Sequence, residues 1–446
     1  MIRANDAALV AQAKQVLEQN RVGRFTKPAP NLYPHQWSWD SAFIAMGYVH
    51  YDQARAEEEL RALFAAQWTN GLVPHIVFNP AAAGYSPNPE MWRTIGNPRV
   101  PPGSLTSGIV QPPVHATAVR HIFQHARDRQ RARAFLAEMF PRLRDWHAYL
   151  FRERDPQRSG LVYIRHPWES GMDNSPLWDA SLQRIQPRPE EIPHYRRVDT
   201  TIVDAADRPT NVEYDRYMYL VKLFADRDYD EARIFPDCPY LIQDVLFNTL
   251  LCQADRDMAE IAALLGEEAA PFAARAEATA QALNSRCWDA TQGIYVDYDL
   301  AADAPIKVSV AAGFAPLFAG VPSAEQAQRL YSYLNSPAFS ELDEQVYPVP
   351  SYDRRAPGYS PNRYWRGPIW LNINWLICHG LHRYGFTAYA SRVEQAMVEL
   401  VRQHGFFEYF NPQTGQGHGT NLFSWTAALL LDVLYSSAAL DSGVAE

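Results

Sequence analysis

Apolar residues recur at three- and four-residue steps along most of the chain, which is the spacing of one face of an α-helix. The clearest case is LIQDVLFNTLLC at 241–252. The same spacing predicts helices over 5–19, 38–49, 52–68, 113–126, 130–153, 214–227, 240–265, 268–286, 323–334, 366–384, 387–404 and 422–436. Convincing alternating strands are few, and VSVAAGF at 308–314 suits a strand or a helix equally well.

This succession of helices predicts an all-α fold, and about twelve helices are what a toroid of six helix pairs, an (α/α)6 barrel, needs. A solenoid of shorter repeats is the alternative. No fixed period of roughly 30 to 50 residues runs through the chain, so a regular repeat array is disfavoured. Two segments of the chain resemble each other, GYSPNPEMW (84–92) and GYSPNRYW (358–365). They are called the echo segments. They are either two similar loops at the mouth of one site or alike by chance.

The irregular segments hold most of the Pro, Gly, Trp and Tyr residues. They fall at 20–37, 69–112, 155–213, 287–307, 335–365 and 405–421. Loops that a rigid scaffold positions often carry function. The longest, 155–213, is therefore expected to be a loop-rich insertion that forms part of an active site. No Gly/Ser linker divides the chain, so residues 1–446 are predicted to form one domain.

Composition and charge exclude several classes of protein. The 446 residues are 47% hydrophobic and carry a formal charge of −9, without a dense Lys/Arg stripe, which disfavours nucleic-acid binding. No window approaches about eighteen apolar residues, and the N-terminus lacks the apolar run of a secretory signal, so no membrane association is expected. The four cysteines show no CxxC spacing and are expected to be free thiols in a reducing cytoplasm.

The stretch HPWESGMDNSPLWD at 166–179 sets carboxyl groups between Trp168 and Trp178. Apolar rings disfavour the ionised form of Asp173 and should raise its pKa, and a protonated carboxyl is what a general acid needs at neutral pH. Glu408 lies among four aromatic residues in HGFFEYFNP. Two carboxyls across a ring-lined cleft fit glycoside hydrolysis, in which one donates a proton and the other activates water or attacks the sugar.

Each of these residue types also has a structural interpretation. An acid beside aromatic rings is a helix cap or the partner of a buried arginine in roughly two cases of three. Asp40, which follows Trp37 and Trp39, suits a helix N-cap, and His75 suits a polar loop histidine without metal spacing. Arg366 is expected to hold a carboxylate or a carbonyl. No GxGxxG, Walker, HExxH or GxSxG motif occurs, and neither a metal nor a cofactor is expected.

Eight stretches together resemble the catalytic domain of glycoside hydrolase family 63, in particular its bacterial mannosylglycerate and glucosylglycerate hydrolases. They are YPHQWSWDSAF (33–43), GLVPHIVF (71–78), SGIVQPPVHA (107–116), HPWESGMDNSPLWD (166–179), RPTNVEYDRY (208–217), YWRGPIW (364–370), FFEYFNPQTG (406–415) and FSWTAA (423–428). One such string would be weak, but eight in order outweigh the structural interpretation of the acids. The resemblance implies an (α/α)6 barrel and an inverting mechanism.

The resemblance also implies the roles of individual residues. Asp173, in ESGMD, would be the general acid and Glu408, in FxEY, the general base, with carboxyls roughly 6.5–9.5 Å apart, as inversion requires. Arg208 would grip the carboxylate of glycerate with two hydrogen bonds. The substrate-binding residues would be Tyr33, Trp37, Trp39, Asp40, Gln111, Trp168, Trp365 and Trp370 around the sugar, Arg208, Tyr214, Tyr364 and Tyr85 around glycerate, and in addition His75 and Trp425.

The predicted function is hydrolysis of 2-O-α-glucosyl- or mannosyl-glycerate, a small anionic glycoside that serves as a compatible solute. Phe423 stands where some glucosylglycerate-cleaving relatives have a glutamine, which leaves the sugar preference open. Two rivals remain: a family 63 enzyme for a neutral disaccharide, and a non-catalytic sugar-binding or scaffold protein. The loop 79–92, which carries Tyr85, is expected to close over bound glycerate, and homo-oligomerisation is left open.

Overall fold

The computed structural model describes residues 6–340 and 347–441, and this part of the chain is mainly helical. Its α-helices are α1 (Ala7–Gln19), α2 (Ser38–Tyr48), α3 (Gln53–Phe64), α4 (Pro89–Trp92), α5 (His115–His125), α6 (Arg129–Arg154), α7 (Asp179–Gln183), α8 (Asn211–Asp226), α9 (Glu231–Ile234), α10 (Val245–Leu265), α11 (Ala270–Ala282), α12 (Ala324–Leu334), α13 (Leu371–Arg383), α14 (Thr387–His404) and α15 (Ser424–Asp441).

The strands are two or three residues long and pair antiparallel, as the scarcity of alternating segments predicts. They are β1 (Arg21–Val22), β2 (Phe25–Thr26), β3 (Gln36–Trp37), β4 (Ile76–Val77), β5 (Ile242–Gln243), β6 (Trp288–Asp289), β7 (Ile294–Tyr295), β8 (Asp297–Asp299), β9 (Ala304–Ile306), β10 (Tyr409–Phe410) and β11 (Gly417–His418). The pairs are β1–β2, β3–β4, β6–β7 and β10–β11, and β8 lies between β5 and β9.

Six apolar segments form a closed inner ring in the described chain. In order they are α2, α5, α10, the 3₁₀-helix Ala311–Leu317, α13 and α15; each packs on the next, and α15 packs on α2. All eleven residues of α2 are buried, as expected for a helix that is apolar on every side. The ring is therefore the core of the fold.

An outer layer covers this ring with more amphipathic helices. It consists of α1, α3, α6, α11, α12 and α14, each of which packs on one or two inner segments. In α3, for example, Leu60, Leu63 and Phe64 are buried, whereas Glu58 and Arg61 remain partly exposed. Six inner and six outer segments make an (α/α)6 barrel, and the predicted fold class is confirmed.

The predicted helices match the twelve segments of this barrel except that one predicted helix lies outside it and one barrel segment was not predicted as a helix. The predicted helix 214–227 is α8, which packs on α4 outside both rings. The sixth inner position belongs to Ala311–Leu317, which begins inside the stretch 308–314 whose state the sequence left open. Gly313 lets this segment approach β7 closely, because a Cβ there would lie 2.6 Å from the Tyr295 carbonyl oxygen.

Two predicted helix starts are too early. The helix expected over 240–265 begins at Val245, where the Asp244 side chain accepts a hydrogen bond from the Phe247 amide and caps the helix. The helix expected over 366–384 begins at Leu371, after Gly367 and Pro368. In both cases the apolar pattern continues through an extended segment that enters the helix.

Four of the inner helices begin at the same end of the barrel. The segments that lead into α2, α5, α13 and α15 supply Trp37, Gln111, Trp370 and Phe423 to the lining of one pocket. The other end of the barrel is where these helices finish. The pocket thus lies where the short connecting strands and the irregular segments meet.

The four cysteines are buried and free: Cys238, Cys252, Cys287 and Cys378. Burial raises the pKa of Cys238 and of Cys252 to about 12, so both thiols stay protonated at neutral pH. In residues 6–340 and 347–441, no helix combines the length and apolar content needed to cross a bilayer.

Candidate active site

The pocket holds about 890 Å³ of empty space when its open mouth is counted. All sixteen residues predicted as catalytic or substrate-binding line it: Tyr33, Trp37, Trp39, Asp40, His75, Tyr85, Gln111, Trp168, Asp173, Arg208, Tyr214, Tyr364, Trp365, Trp370, Glu408 and Trp425. The lining residues that the prediction did not include are Pro28, Leu32, Ile76, Ser86, Pro87, Gly171, Val198, Asp199, Pro209 and Phe423.

Indole rings build one wall of the pocket. Trp365 and Trp370 stack face to face, with centroids 3.7 Å apart and planes 4° from parallel. Trp425 meets Trp370 at 5.9 Å and Trp39 edge-on at 5.2 Å. Such fixed rings offer flat apolar faces and polar edges to a bound ring of similar size.

The turn that carries Asp173 is held from both sides. It follows the 3₁₀-helix Pro167–Ser170 through Gly171, whose φ of +74° suits glycine. Trp178 donates a hydrogen bond from Nε1 to the Met172 carbonyl at 2.8 Å, and Tyr217 donates from its hydroxyl to the Asp173 carbonyl at 2.8 Å. Trp178 is fully buried and does not line the pocket, so it holds the turn from behind, whereas Trp168 lines the pocket.

Glu169, in the same motif, has a structural role. Its carboxylate accepts hydrogen bonds from both Arg154 amino groups at 2.8 and 3.0 Å and from the amides of Val110 and Arg165. Burial opposes its ionisation, but the Arg154 guanidinium and the amides lower the pKa of Glu169 to about 2. This carboxylate therefore fastens the motif to α6 and to the segment before α5.

Asp173 differs from Glu169 in protonation, although it follows Glu169 by only four positions. Its side chain is partly exposed to the pocket, and among the described residues no other side chain donates a hydrogen bond to it. Burial raises the pKa of Asp173 to about 7, while Arg208 opposes the shift and Glu408 adds to it. A substantial fraction of this carboxyl is therefore protonated at neutral pH, as the sequence predicts.

Glu408, just before β10, is surrounded by donors. Its Oε1 accepts a hydrogen bond from the Tyr33 hydroxyl at 2.8 Å, and its Oε2 accepts one from the Thr420 amide at 3.2 Å. Burial raises the pKa of Glu408, and Arg208, Tyr33 and Thr420 counteract that effect. Only 1% of the residue is exposed, so these donors fix its orientation.

Arg208 brings a buried positive charge into the pocket. Its Nη1 lies 4.0 Å from Glu408 Oε1 and donates to the Tyr33 hydroxyl at 3.4 Å. Its Nε donates to Asp199 Oδ2 at 3.3 Å, and its guanidinium carbon lies 4.0 Å from the centroid of the Tyr364 ring. In the described chain, Nη2 donates no hydrogen bond to another protein group. That nitrogen is available to a bound anion.

Asp199 is the charged pocket residue that the sequence interpretation missed. It accepts hydrogen bonds from Arg197 at 2.5 Å and from Arg208, and both arginines lower its pKa against the effect of burial. The Arg197 guanidinium also lies over the ring of Tyr214, 4.6 Å from its centroid. In the sequence, the charged residues around 196–208 suggest a solvated surface. In the structure, Asp199 links Arg197 to Arg208 and holds Arg208 in place.

Two residues for which the sequence also suggested a structural role line the pocket. Asp40 is not the N-cap of α2, because Trp37 holds that position and Asp40 lies in the first turn; burial raises its pKa well above the usual range. His75 stacks on Trp168 at 6.1 Å, and burial lowers its pKa to about 3. Ser107 Oγ accepts the Ile76 amide proton at 3.0 Å and lies 3.1 Å from His75 Nδ1, so it orients the imidazole ring.

The two echo segments meet at this pocket. Tyr85, Ser86 and Pro87 from the first and Tyr364 and Trp365 from the second line it. Tyr85 contacts the rings of His35 and Trp37 edge-on, at 4.7 and 5.6 Å. The interpretation that they are loops at one mouth is confirmed.

Arg366, which lies just outside the pocket, pairs with the carboxylate of Asp179 and approaches Glu213 at 3.6 Å. The predicted structural role of Arg366 is thus confirmed.

Comparison with known proteins identifies close relatives. The profile of the family described as mannosylglycerate hydrolase MGH1-like glycoside hydrolase domain matches residues 33–426. The mannosylglycerate hydrolase of Rubrobacter radiotolerans is 55% identical over 426 residues, 96% of each chain. The glucosylglycerate hydrolase of Mycolicibacterium hassiacum is 37% identical over 440 residues, 96% of this chain and 97% of that one.

A solved structure with the same architecture covers nearly the whole chain. It is the GH63 mannosylglycerate hydrolase from Thermus thermophilus in complex with Tris and D-glycerate. It superimposes with a TM-score of 0.89 at 43% identity, over 95% of this chain and 99% of that one. The barrel and its connecting segments are therefore shared along their whole length.

Proposed function

The chain belongs to the MGH1-like family of GH63 glycoside hydrolases, and we propose that it hydrolyses 2-O-α-mannosyl- or glucosyl-glycerate to free sugar and glycerate, with inversion at the anomeric carbon. Relatives named for both substrates support activity on glycosides of glyceric acid. The observation that carries the proposal is Arg208, a buried guanidinium inside the pocket that also holds the carboxyl groups of Asp173 and Glu408.

Arg208 distinguishes an anionic substrate from a neutral one. A guanidinium whose Nη2 is available can bind the glycerate carboxylate through a charge-assisted hydrogen bond. Asp199 and Tyr364 hold the guanidinium from two other directions, so little reorganisation accompanies binding. Tyr214 and Tyr85, which line the same pocket, supply hydroxyl groups for the rest of glycerate.

The two carboxyl groups divide the chemistry. Asp173, with its pKa raised to about 7, donates a proton to the glycosidic oxygen, so that glycerate leaves as the alcohol. Glu408, held by Tyr33 and Thr420, removes a proton from the water that attacks the opposite face of the sugar. We expect roughly 6.5–9.5 Å between the carboxyls, which leaves room for that water.

The sugar would bind among the indole rings and Asp40, with the neutral His75 as a hydrogen-bond donor. Mannosylglycerate is the first substrate to test, because the relative named for it is 55% identical, against 37% for the one named for glucosylglycerate. Phe423 lines the pocket beside Trp425, with ring centroids 4.9 Å apart, and is placed to influence this preference.

We also propose that the chain is a single domain with 155–213 as the insertion that completes the site. That segment supplies seven lining residues: Trp168, Gly171, Asp173, Val198, Asp199, Arg208 and Pro209. A cytoplasmic location suits the four free, buried thiols. The loop with Tyr85 would close on glycerate, and its deletion should then weaken binding.

The test is product release from mannosylglycerate, glucosylglycerate, glucosylglycolate, kojibiose and trehalose, with NMR of the first anomer formed. Cleavage of the anionic glycosides, with β-sugar appearing first, is expected. Arg208→Ala should raise KM for these substrates roughly 10- to 100-fold, the worth of a hydrogen bond to a charged group. Arg363→Ala, which changes an arginine outside the pocket lining, is the matched control.

Each other outcome supports a rival. Cleavage of kojibiose or trehalose alone would keep the catalytic pair and discard the glycerate site. Tight binding without turnover of any substrate would indicate a sugar-binding protein. Release of α-sugar first would contradict inversion and require Glu408 to act as a nucleophile.

A further inference from the structure

A second cluster of chemically active side chains lies at the other end of the barrel from the pocket. His50 follows α2 by two residues, and His121 and His125 lie in the last two turns of α5. Asp432 of α15 faces them, and the ring of His379 on α13 packs on Trp375 nearby. The proposed glycoside hydrolysis uses none of these groups.

Three of these residues bring ligand atoms together. Asp432 Oδ1 lies 2.8 Å from His50 Nε2 and 3.0 Å from His121 Nε2, and the ligand atoms of the three residues all lie within 4.8 Å of one another. The side chains of His50 and Asp432 are 6% and 1% exposed. His121 is 11% exposed and gives a small ion access from solvent.

The surroundings favour a cation. In the described chain, no lysine or arginine nitrogen lies within 4.0 Å of the Asp432 carboxylate, and a buried carboxylate without a positive partner is costly. The ends of α2 and α5 also direct the negative poles of their helix dipoles to this end of the barrel. His121 Nε2 is buried and has no well-aligned hydrogen-bond partner among the described residues.

From this arrangement we propose that His50, His121 and Asp432 form a structural site for a divalent transition-metal ion, with zinc as the best chemical match. Two imidazole nitrogens and one carboxylate oxygen are a common zinc ligand set, completed by water or a fourth side chain. His125, whose ring centroid lies 4.3 Å from that of His121 and 5.0 Å from that of His50, is near enough to be the fourth ligand.

The separations of the ligand atoms can be compared with those around a bound ion. Metal bonds of about 2.0–2.1 Å in a tetrahedron place ligand atoms roughly 3.3 Å apart. The two nitrogen–oxygen separations, 2.8 and 3.0 Å, are a few tenths of an ångström shorter, and the two imidazole nitrogens lie within 4.8 Å of each other. The ion would replace the hydrogen bond between His50 Nε2 and Asp432 Oδ1. Trp375 donates from Nε1 to Asp432 Oδ2 at 2.8 Å and would orient the carboxylate from behind.

Such an ion would fasten the inner ring where it closes. The ligands come from α15, from α5 and from the residue pair after α2, so one ion would join three of the six inner segments. Along the chain α2 is the first inner segment and α15 is the last, so the junction between them closes the ring. Because the pocket lies at the opposite end, the ion would raise stability without taking part in the reaction.

The experiment removes metal from the full chain by dialysis against a chelator, adds zinc or Co²⁺ back, and washes away the unbound ion. We expect one zinc per chain by mass spectrometry, a higher melting temperature with zinc, and the intense visible bands of four-coordinate cobalt when Co²⁺ replaces it. His121→Gln should lower zinc affinity at least about tenfold and abolish the cobalt bands. The matched control is His382→Gln, which removes an imidazole on α13 that pairs with Glu394 at 2.8 Å and is not one of the proposed ligands.

Three results would overturn the proposal. The first is a wild-type chain that binds no added zinc and gives only the weak bands of solvated cobalt, which would leave a hydrogen-bonded imidazole–carboxylate group. The second is equal zinc binding by the His121→Gln and wild-type chains, which would assign the zinc to other histidines. The third is loss of zinc in His382→Gln alone. If His121→Gln does not fold, the wild-type cobalt spectrum decides.

Discussion

Two carboxyl groups four positions apart show how surroundings decide the role of a residue. Glu169 is held by Arg154 and its pKa is lowered to about 2, whereas burial raises the pKa of Asp173 to about 7. Both stand in one motif between the same tryptophans, so the local sequence does not separate them. Arg154, which makes the difference, is the last residue of α6, and only the fold brings it to Glu169.

Asp173→Asn should abolish most of the turnover and spare substrate binding. The amide keeps the shape of the side chain but cannot donate a proton from a carboxyl, which is worth roughly 10²–10⁴ in rate. Steady-state kinetics should show this loss in kcat, and calorimetry with the intact glycoside should show an unchanged Kd. Asp145→Asn, which alters an exposed aspartate on α6, should behave like the wild type.

The pH profile supplies an independent check on the same residue. Since Asp173 acts in its protonated form and its pKa is about 7, kcat should fall as pH rises through about 7. Asp173→Asn should lack this alkaline limb. A wild-type rate that stays level to pH 9 would contradict the assignment of Asp173 as the acid.

Asp199→Asn tests whether this residue positions Arg208. The asparagine removes the charge that pairs with Arg208 and Arg197, so the guanidinium should lose its fixed orientation. We expect KM for an anionic glycoside to rise roughly tenfold with little change in kcat, the loss of about one charge-assisted hydrogen bond. Equal losses in kcat and KM, or a large drop in melting temperature, would instead indicate a general structural defect.

At the scale of elements, the sequence predicts what periodicity controls. Helices with one apolar face, such as α14, are found where the spacing places them. The 3₁₀-helix Ala311–Leu317 could not be assigned, because its fit against β7 depends on a long-range contact at Gly313. Asp199 was missed for a similar reason: its partner Arg208 is near in sequence, but only the folded insertion places both in the pocket.

Gly171→Ala should disturb the turn before Asp173 and the pocket wall together. A Cβ at this position would lie 2.5 Å from the ring of Trp39, and the φ of +74° strains any other residue. We expect a loss of at least about 1 kcal/mol in the free energy of unfolding and a clear fall in kcat, measured by urea denaturation and kinetics.

Gly96→Ala is the matched control for this element. Its φ of +81° imposes the same backbone strain, but a Cβ there has no atom within 4 Å. Its effect should therefore be confined to a small loss of stability with normal kcat. If both variants kept wild-type kcat, close packing of the turn on Trp39 would be unnecessary for the reaction.

At the scale of the whole molecule, buried carboxyls concentrate at the pocket end of the barrel. Beside the lining residues, Asp244 caps α10 and Asp297 in β8 accepts a hydrogen bond from the Val245 amide at 2.8 Å. The Oδ2 atoms of Asp244 and Asp297 are both buried and have no hydrogen-bond partner among the described residues. Burial raises the pKa of Asp244 to about 7, and burial together with the charge of Asp244 raises that of Asp297.

This pair predicts that the fold loses stability as pH rises. A carboxyl whose pKa is higher in the folded state binds its proton more tightly there, so its contribution is complete below about pH 4. That contribution is lost as pH rises through the folded pKa values, at a rate of up to about 1.4 kcal/mol per pH unit for each group. Asp297→Asn keeps the acceptor for Val245 and removes one of the two charges.

Melting temperatures of the wild type and Asp297→Asn between pH 5 and pH 9 should therefore diverge. We expect the wild-type value to fall more steeply than that of the variant, because the wild type must ionise two neighbouring buried carboxyls and the variant only one. Asp145→Asn should follow the wild-type curve. Parallel curves for the wild type and Asp297→Asn would mean that Asp297 is already ionised in the folded barrel near pH 5, against the direction in which burial and Asp244 act on its pKa.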